Sequence, residues 1–176
     1  MRAMSLLASR ALLLIGIGAG FSTGAAAGQA GSLKNIQRSI RERLLSEAGS
    51  ADLVYTKVDF SHCAVTIQSR TLKQPGSREV RVTTTFHLAS LDPSATLMAG
   101  GPPFVLRVNS ADGVPGFRRI QQVIDSGQVR ESMTIIPALE ISFLQRGTAD
   151  IVRTGFGQLT ALCRHDDPLL RAPGAR

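Results

Sequence analysis

The chain of 176 residues contains no tryptophan and only one tyrosine. Its core must therefore be built from Val, Ile, Leu and Phe. Single-stranded nucleic acid is bound by aromatics interleaved with basic residues. The seven phenylalanines here fall mostly at positions predicted to face inward, so nucleic acid is not an expected partner. Three histidines and two cysteines are present, with no C-x-x-C or H-x-x-x-H spacing among them. No metal site and no cofactor is expected from such a set. No G-x-S-x-G turn offers an activated serine. Glycines at Gly100-Gly101 and at Gly155 and Gly157 do not follow a strand into a helix as phosphate loops require, so they read as turn and packing glycines. Glu131 and Glu140 sit on predicted strands and could be paired as an acid and a base. Among 13 Asp plus Glu such a pair also arises by chance.

What the chain does carry begins at its N-terminus. Arg2 and Arg10 flank a polar start, the run Ala11 to Ile17 is apolar, and the segment then decays into Gly24-Ala25-Ala26-Ala27-Gly28-Gln29-Ala30. The order basic, apolar, small reads as a secretory signal peptide over residues 1–30. Small-x-small sites would cut before Gly28 or before Gly31. A retained anchor is the rival reading, but the Gly, Ala, Ser and Thr of the second half add little transfer energy. No cysteine stands near either cleavage site to carry a lipid, and no paired arginines precede the apolar run. The expected address is the periplasm or the exterior. One globular domain is expected over residues 31–165, followed by a flexible tail over 166–176.

Of the 20 Lys plus Arg, Arg2 and Arg10 lie in the leader, which leaves 18 against 13 acids. This modest positive excess is spread along the chain, with no polybasic run. It permits an anionic partner such as an envelope lipid or glycan.

Leu33, Ile36, Ile40 and Leu44 lie on one stripe at helical spacing, with Lys34, Arg38, Arg41 and Glu42 facing away. The stripe predicts a helix over residues 31–49, with Ser32 as N-cap and Gly49 just past its end. Val54, Thr56, Val58 and Phe60 alternate as a strand, as do Cys63, Val65 and Ile67. Val80, Val82, Thr84, Phe86 and Leu88 form the cleanest alternation in the chain. Gln74-Pro75-Gly76-Ser77 reads as a turn. Leu91-Asp92-Pro93-Ser94-Ala95 can start a helical turn capped by Asp92. Phe104, Leu106 and Val108 predict another strand. Residues 117–124 and 129–136 predict a hairpin around Asp125-Ser126-Gly127, with a helix over Phe117, Ile120 and Ile124 as the alternative. Leu139, Ile141 and Phe143 predict a last strand. Val152, Phe156, Leu159 and Cys163 share a narrow helical arc, which predicts a closing helix from Thr148 to about Arg164. Gly155, at the edge of that arc, would let the backbone approach a sheet closely.

The fold class is therefore α+β: an N-terminal helix, about seven short antiparallel strands forming a curved sheet or partly open barrel, and a C-terminal helix that closes it. This order resembles the pleckstrin-homology-like superfold in topology. A plainer layer with both helices on one face of a sheet is the alternative. Cys63 and Cys163 are both placed facing inward. An even cysteine count in an exported chain predicts a disulfide between them.

Arg107, Arg118 and Arg119 flank the Asp112-Gly113 loop. Three guanidinium groups around one loop would suit a carboxylate, phosphate or sulfate, so they form the candidate anion site. The functional expectation is a non-enzymatic exported binding domain whose partner is a protein or an anionic envelope component. A small hydrolase with an unrecognised acid–base pair is the second reading. An envelope structural component held by an uncleaved N-terminus is the third.

Overall fold

The structure is a computed structural model that describes residues 24–71, 78–94, 96–97, 101–111 and 116–166. Helix α1 (Gly24–Ser46) leads into strands β1 (Gly49–Ser50), β2 (Leu53–Ser61), β3 (Ala64–Thr71) and β4 (Glu79–His87). A 3₁₀ turn (Leu88–Ser90) follows, then β5 (Thr96–Leu97), β6 (Phe104–Asn109), β7 (Phe117–Asp125), β8 (Gln128–Ile136) and β9 (Ala138–Phe143). Helix α2 (Arg146–Asp166) closes the order. Among the described residues, seven of the nine strands have six residues or more. The expected helix–strands–helix order of an α+β fold is thus met. Residues 117–124 are strand rather than helix, because their ladder with β8 leaves no helical period.

The strands form a six-stranded sheet, β1-β2-β3-β4-β7-β8, and a three-stranded sheet, β5-β6-β9. Every pairing is antiparallel. An isolated bridge between Ala48 and Phe143 joins the sheets beside β1. On the other side the chain passes from β8 to β9 through Pro137 alone. Proline has no N–H to continue a ladder, which suits a strand that leaves one sheet for another. The Pro137 carbonyl instead accepts from the Ser110 amide at 2.9 Å. The resulting layer is curved and not closed into a barrel.

The α1 stripe holds, with Ile40 and Leu44 buried and the four named charged residues exposed. The helix begins earlier than expected, at Gly24, so Ser32 lies within it rather than at a cap. Cleavage before Gly28 or Gly31 would shorten α1 but spare the whole stripe. Gly49 adopts φ +133°, and a Cβ there would overlap the Leu53 carbonyl oxygen. That close return starts β1 directly after the helix.

Strand β2 departs from its expected parity. The ladder with β3 slips between Tyr55 and Lys57, which leaves Thr56 as a β-bulge. Val58 and Phe60 face inward as expected, but ahead of the bulge the inward residues are Leu53 and Tyr55. Val54 and Thr56, expected inside, sit on the outer side. One extra residue reverses the alternation, and a strict period of two cannot show it.

The two cysteines are bonded, with Cα atoms 5.7 Å apart. Cys63 is not on a strand face as expected. It is the second residue of the His62-Cys63 turn between β2 and β3, and His62 takes φ +53°. This turn is held from three directions. Cys163 on α2 bonds to it, Gln37 Nε2 of α1 donates to the His62 carbonyl at 2.9 Å, and the Leu88 amide donates to the Cys63 carbonyl at 2.8 Å. Beside the disulfide, Arg164 Nε donates to the Ala89 carbonyl at 3.1 Å and its Nη2 to that of Leu91 at 2.6 Å. The helical turn expected at Leu91 lies three residues earlier, at Leu88–Ser90. Leu91 is instead drawn into a bridge with Ser110, while Asp92 Oδ1 still accepts from the Ser94 amide at 2.9 Å.

Both helices pack on the concave side. Val152, Phe156, Leu159 and Cys163 of α2 are all buried, and Phe86 stacks tilted against Phe117 and Phe156 with centroids 5.0 and 6.3 Å apart. Gly155 meets Ile40 and Ile36 of α1, not the sheet as expected. At the other end of the same contact, Thr148 Oγ1 donates to Glu47 Oε2. Among the described residues no helix is long and apolar enough to cross a membrane. The disulfide fits a location outside the cytoplasm. The expected turn at Gln74–Ser77 and the Asp112-Gly113 loop lie outside the described residues, as does the expected tail apart from Asp166, which ends α2.

Candidate functional site

The concave face of the large sheet changes character row by row. Phe60, Val65 and Phe86 sit side by side across β2, β3 and β4, and Phe117 pairs with Ile136 on β7 and β8. This row is the apolar core. In the next row Val58 pairs with Ile67, Ile67 with Thr84, Thr84 with Arg119 and Arg119 with Thr134. The third row carries Tyr55, Ser69, Val82 and Gln121. The core therefore ends at Thr84 and Arg119, where hydroxyls and a guanidinium replace methyl groups.

A cavity of about 200 Å³ lies there. Leu53 and Tyr55 of β2, Ile67 and Ser69 of β3, Val82 and Thr84 of β4 and Arg119 of β7 form its sheet side. Its other wall is the chain crossing from β8 to β9, Ile136 to Glu140. The bulge at Thr56 is what turns Tyr55 and Leu53 into this cavity. Most of the lining is apolar, with a few polar groups spaced around it, which is the usual make-up of a small-molecule site.

Arg119 is the unusual member. Its Nε is buried without a hydrogen-bond partner, and among the described residues it forms no ion pair. Leaving a buried donor unmet costs about 1–3 kcal/mol. Such a donor in a native cavity is met by an ordered water, an ion or a ligand. Tyr55 has its pKa pushed up to about 12, because burial disfavours the phenolate more than a hydrogen bond from the Ser142 backbone favours it. It therefore stays a neutral hydroxyl at ordinary pH.

The other two arginines of the expected trio do not share this cavity. Arg118 and Arg119 are neighbours on β7 and so project to opposite faces. Arg118 is exposed on the convex side, with its Nε 3.2 Å from Met133 Sδ. Arg107 stands on β6 of the smaller sheet, opposite Glu140 and 3.5 Å from its carboxylate, with a further bond of 3.2 Å to Asn109 Oδ1. Glu140 lines the cavity rim, so Arg107 reaches the site only through it.

Glu131 and Glu140, the possible acid–base pair, lie on strands of different sheets. Glu131 accepts from Gln122 Nε2 at 2.9 Å on the convex face. His62 occupies its hairpin turn, while His87 and His165 are exposed. Tyr55 and Thr84 were not singled out from the sequence. The signal for Thr84 was available, as a hydroxyl in the inward set of the cleanest alternation. Tyr55 was hidden by the bulge.

A second hollow of about 330 Å³ runs between α1 and α2 along Ile36, Ile40, Ile151 and Gly155. Its charged member, Asp150, is already engaged by Arg153 at 3.1 Å and Arg146 at 3.9 Å. It lacks an unmet polar group like that of Arg119.

No protein-family model, no curated protein and no solved structure matches this chain.

Proposed function

We propose that the chain is an exported, non-enzymatic binding domain of the cell envelope, acting in the periplasm or outside the cell, and that its concave cavity holds an anionic component. The unpartnered guanidinium of Arg119 inside a mostly apolar cavity carries this reading. The disulfide and the signal-like N-terminus support the address. Tyr55 supports binding over proton transfer, since a hydroxyl with a pKa near 12 donates a hydrogen bond but rarely gives up its proton.

Circular-dichroism melts of the oxidised protein with a panel of phosphate, sulfate, acetate, citrate and medium-chain carboxylates test the site. At least one anion should raise the melting temperature of the wild type and leave that of Arg119→Gln unmoved. Equal shifts in both proteins, or no shift with any anion, would remove the cavity as the binding site. N-terminal sequencing of the exported protein tests the address. A start at Gly28 or Gly31 is expected, and a start at Met1 would favour a retained anchor.

A further inference from the structure

We infer that the Arg119 cavity takes a monocarboxylate carrying a short apolar tail. This inference rests on the binding reading above and narrows it to one ligand class.

Charge sets the first limit. Arg107 and Glu140 pair at 3.5 Å across β6 and β9, with Glu140 on the cavity lining and Arg107 behind it. Arg119 is then the one uncompensated charge among the described lining residues, so the cavity offers a single positive charge. A second negative group on the ligand would approach Glu140 and be repelled. Geometry sets the second limit. A guanidinium presents its donors as a planar fork that matches the two oxygens of a carboxylate. A phosphate or sulfate would bring additional oxygens, and beyond the hydroxyls of Tyr55, Ser69 and Thr84 the walls Leu53, Ile67, Val82 and Leu139 offer them no donors. Those walls instead suit a hydrocarbon tail.

Volume sets the third limit. A dry cavity of about 150 Å³ accepts a benzene ring. The 200 Å³ here is therefore suited to a ligand of roughly ten non-hydrogen atoms, the size of octanoate or a phenyl-substituted short acid. The Tyr55 hydroxyl, also on the cavity wall, does not repel a carboxylate, because burial keeps it protonated.

The molecule contains its own reporter. Tyr55 is the only tyrosine, there is no tryptophan, and Tyr55 lines this cavity, so intrinsic emission reads the site directly. The experiment titrates the full disulfide-bonded chain with sodium octanoate, octanamide, suberate, acetate and inorganic phosphate. A saturable change with octanoate is expected, with each other probe at least tenfold weaker. Arg119→Gln should bind octanoate no better than octanamide. Glu140→Gln should gain at least tenfold in affinity for suberate, because the repelling charge is gone; this variant keeps the test decisive if Arg119→Gln does not fold. Octanamide binding as tightly as octanoate, an unaltered preference in Arg119→Gln, or an unaltered suberate affinity in Glu140→Gln would overturn the monocarboxylate. Suberate or phosphate binding more tightly than octanoate to the wild type would overturn the ligand class and leave the binding reading standing. No saturable response to any probe would overturn both.

Discussion

Ile40 Cδ1 lies 2.9 Å from the point where a Cβ on Gly155 would stand. Ile40 is 1% exposed, so a shift of its side chain costs packing contacts. Gly155→Ala should therefore destabilise the protein by about 1–3 kcal/mol through overpacking, partly offset by roughly 1 kcal/mol of helix propensity. Ile40→Val removes the clashing methyl and should recover part of the loss. A double-mutant cycle in urea unfolding checks this, and purely additive effects would show that the helices can separate without cost.

The bond between Cys63 and Cys163 closes a loop with a separation of 100 residues. The chain-entropy account gives about 4.7 kcal/mol for a loop of that length, and native disulfides typically contribute about 2–5 kcal/mol. Cys63→Ser combined with Cys163→Ala should lower stability by that amount in denaturant titrations. Reductant should lower the wild type similarly and leave the double variant unchanged. Cys163 is 1% exposed, so alanine rather than serine is the fair replacement there.

Tyr55 predicts a stability loss in alkali. Its hydroxyl ionises near 10 when free and near 12 in the fold. Between those values the unfolded chain has released a proton that the folded chain retains, so unfolding is favoured as pH rises. The contribution is whole below pH 10 and gone above pH 12, and amounts to about 3 kcal/mol across the window. Tyrosinate absorbance reports the group alone, since no other tyrosine is present. Tyr55→Phe should flatten the stability slope between pH 10 and 12 relative to wild type; identical slopes would refute the buried, protonated hydroxyl.

The β7–β8 hairpin turns on Ser126-Gly127, with φ of +51° and +86°. Two positive φ values in a two-residue loop suit a type I′ turn, for which Asn-Gly is the preferred pair. Ser126→Asn should raise stability by several tenths of a kcal/mol, on the order of the gain seen when a residue fits its native backbone. Ser126→Val should lower it, and melting curves of the pair decide the matter.

Strand positions were legible because period-two alternation survives wherever one face of a strand is buried and the other wet. It failed at β2, where Thr56 adds a residue without any glycine or proline to mark it. The Cys63 turn was missed for a similar reason, since a histidine occupies the left-handed position that glycine or asparagine usually takes. The pairing of the cysteines was still readable, because both lie at the concave layer whichever local element holds Cys63. Arg119 was legible as a candidate, but its cavity was not. The residues around it come from six strands, and only the chain's return from β8 to β9 brings them together. Proximity in sequence grouped Arg107, Arg118 and Arg119; strand alternation and the two-sheet division separate them.

The bridge between the β2–β3 turn and the end of α2 also makes a covalent ring of all the chain from Cys63 to Cys163. A protease that nicks any single peptide bond within that ring opens it but releases no fragment. Both cut ends stay tethered to the same molecule. Outside the cytoplasm, where proteases are met without a route to resynthesis, a nicked copy of this protein remains one piece until a reductant reaches it.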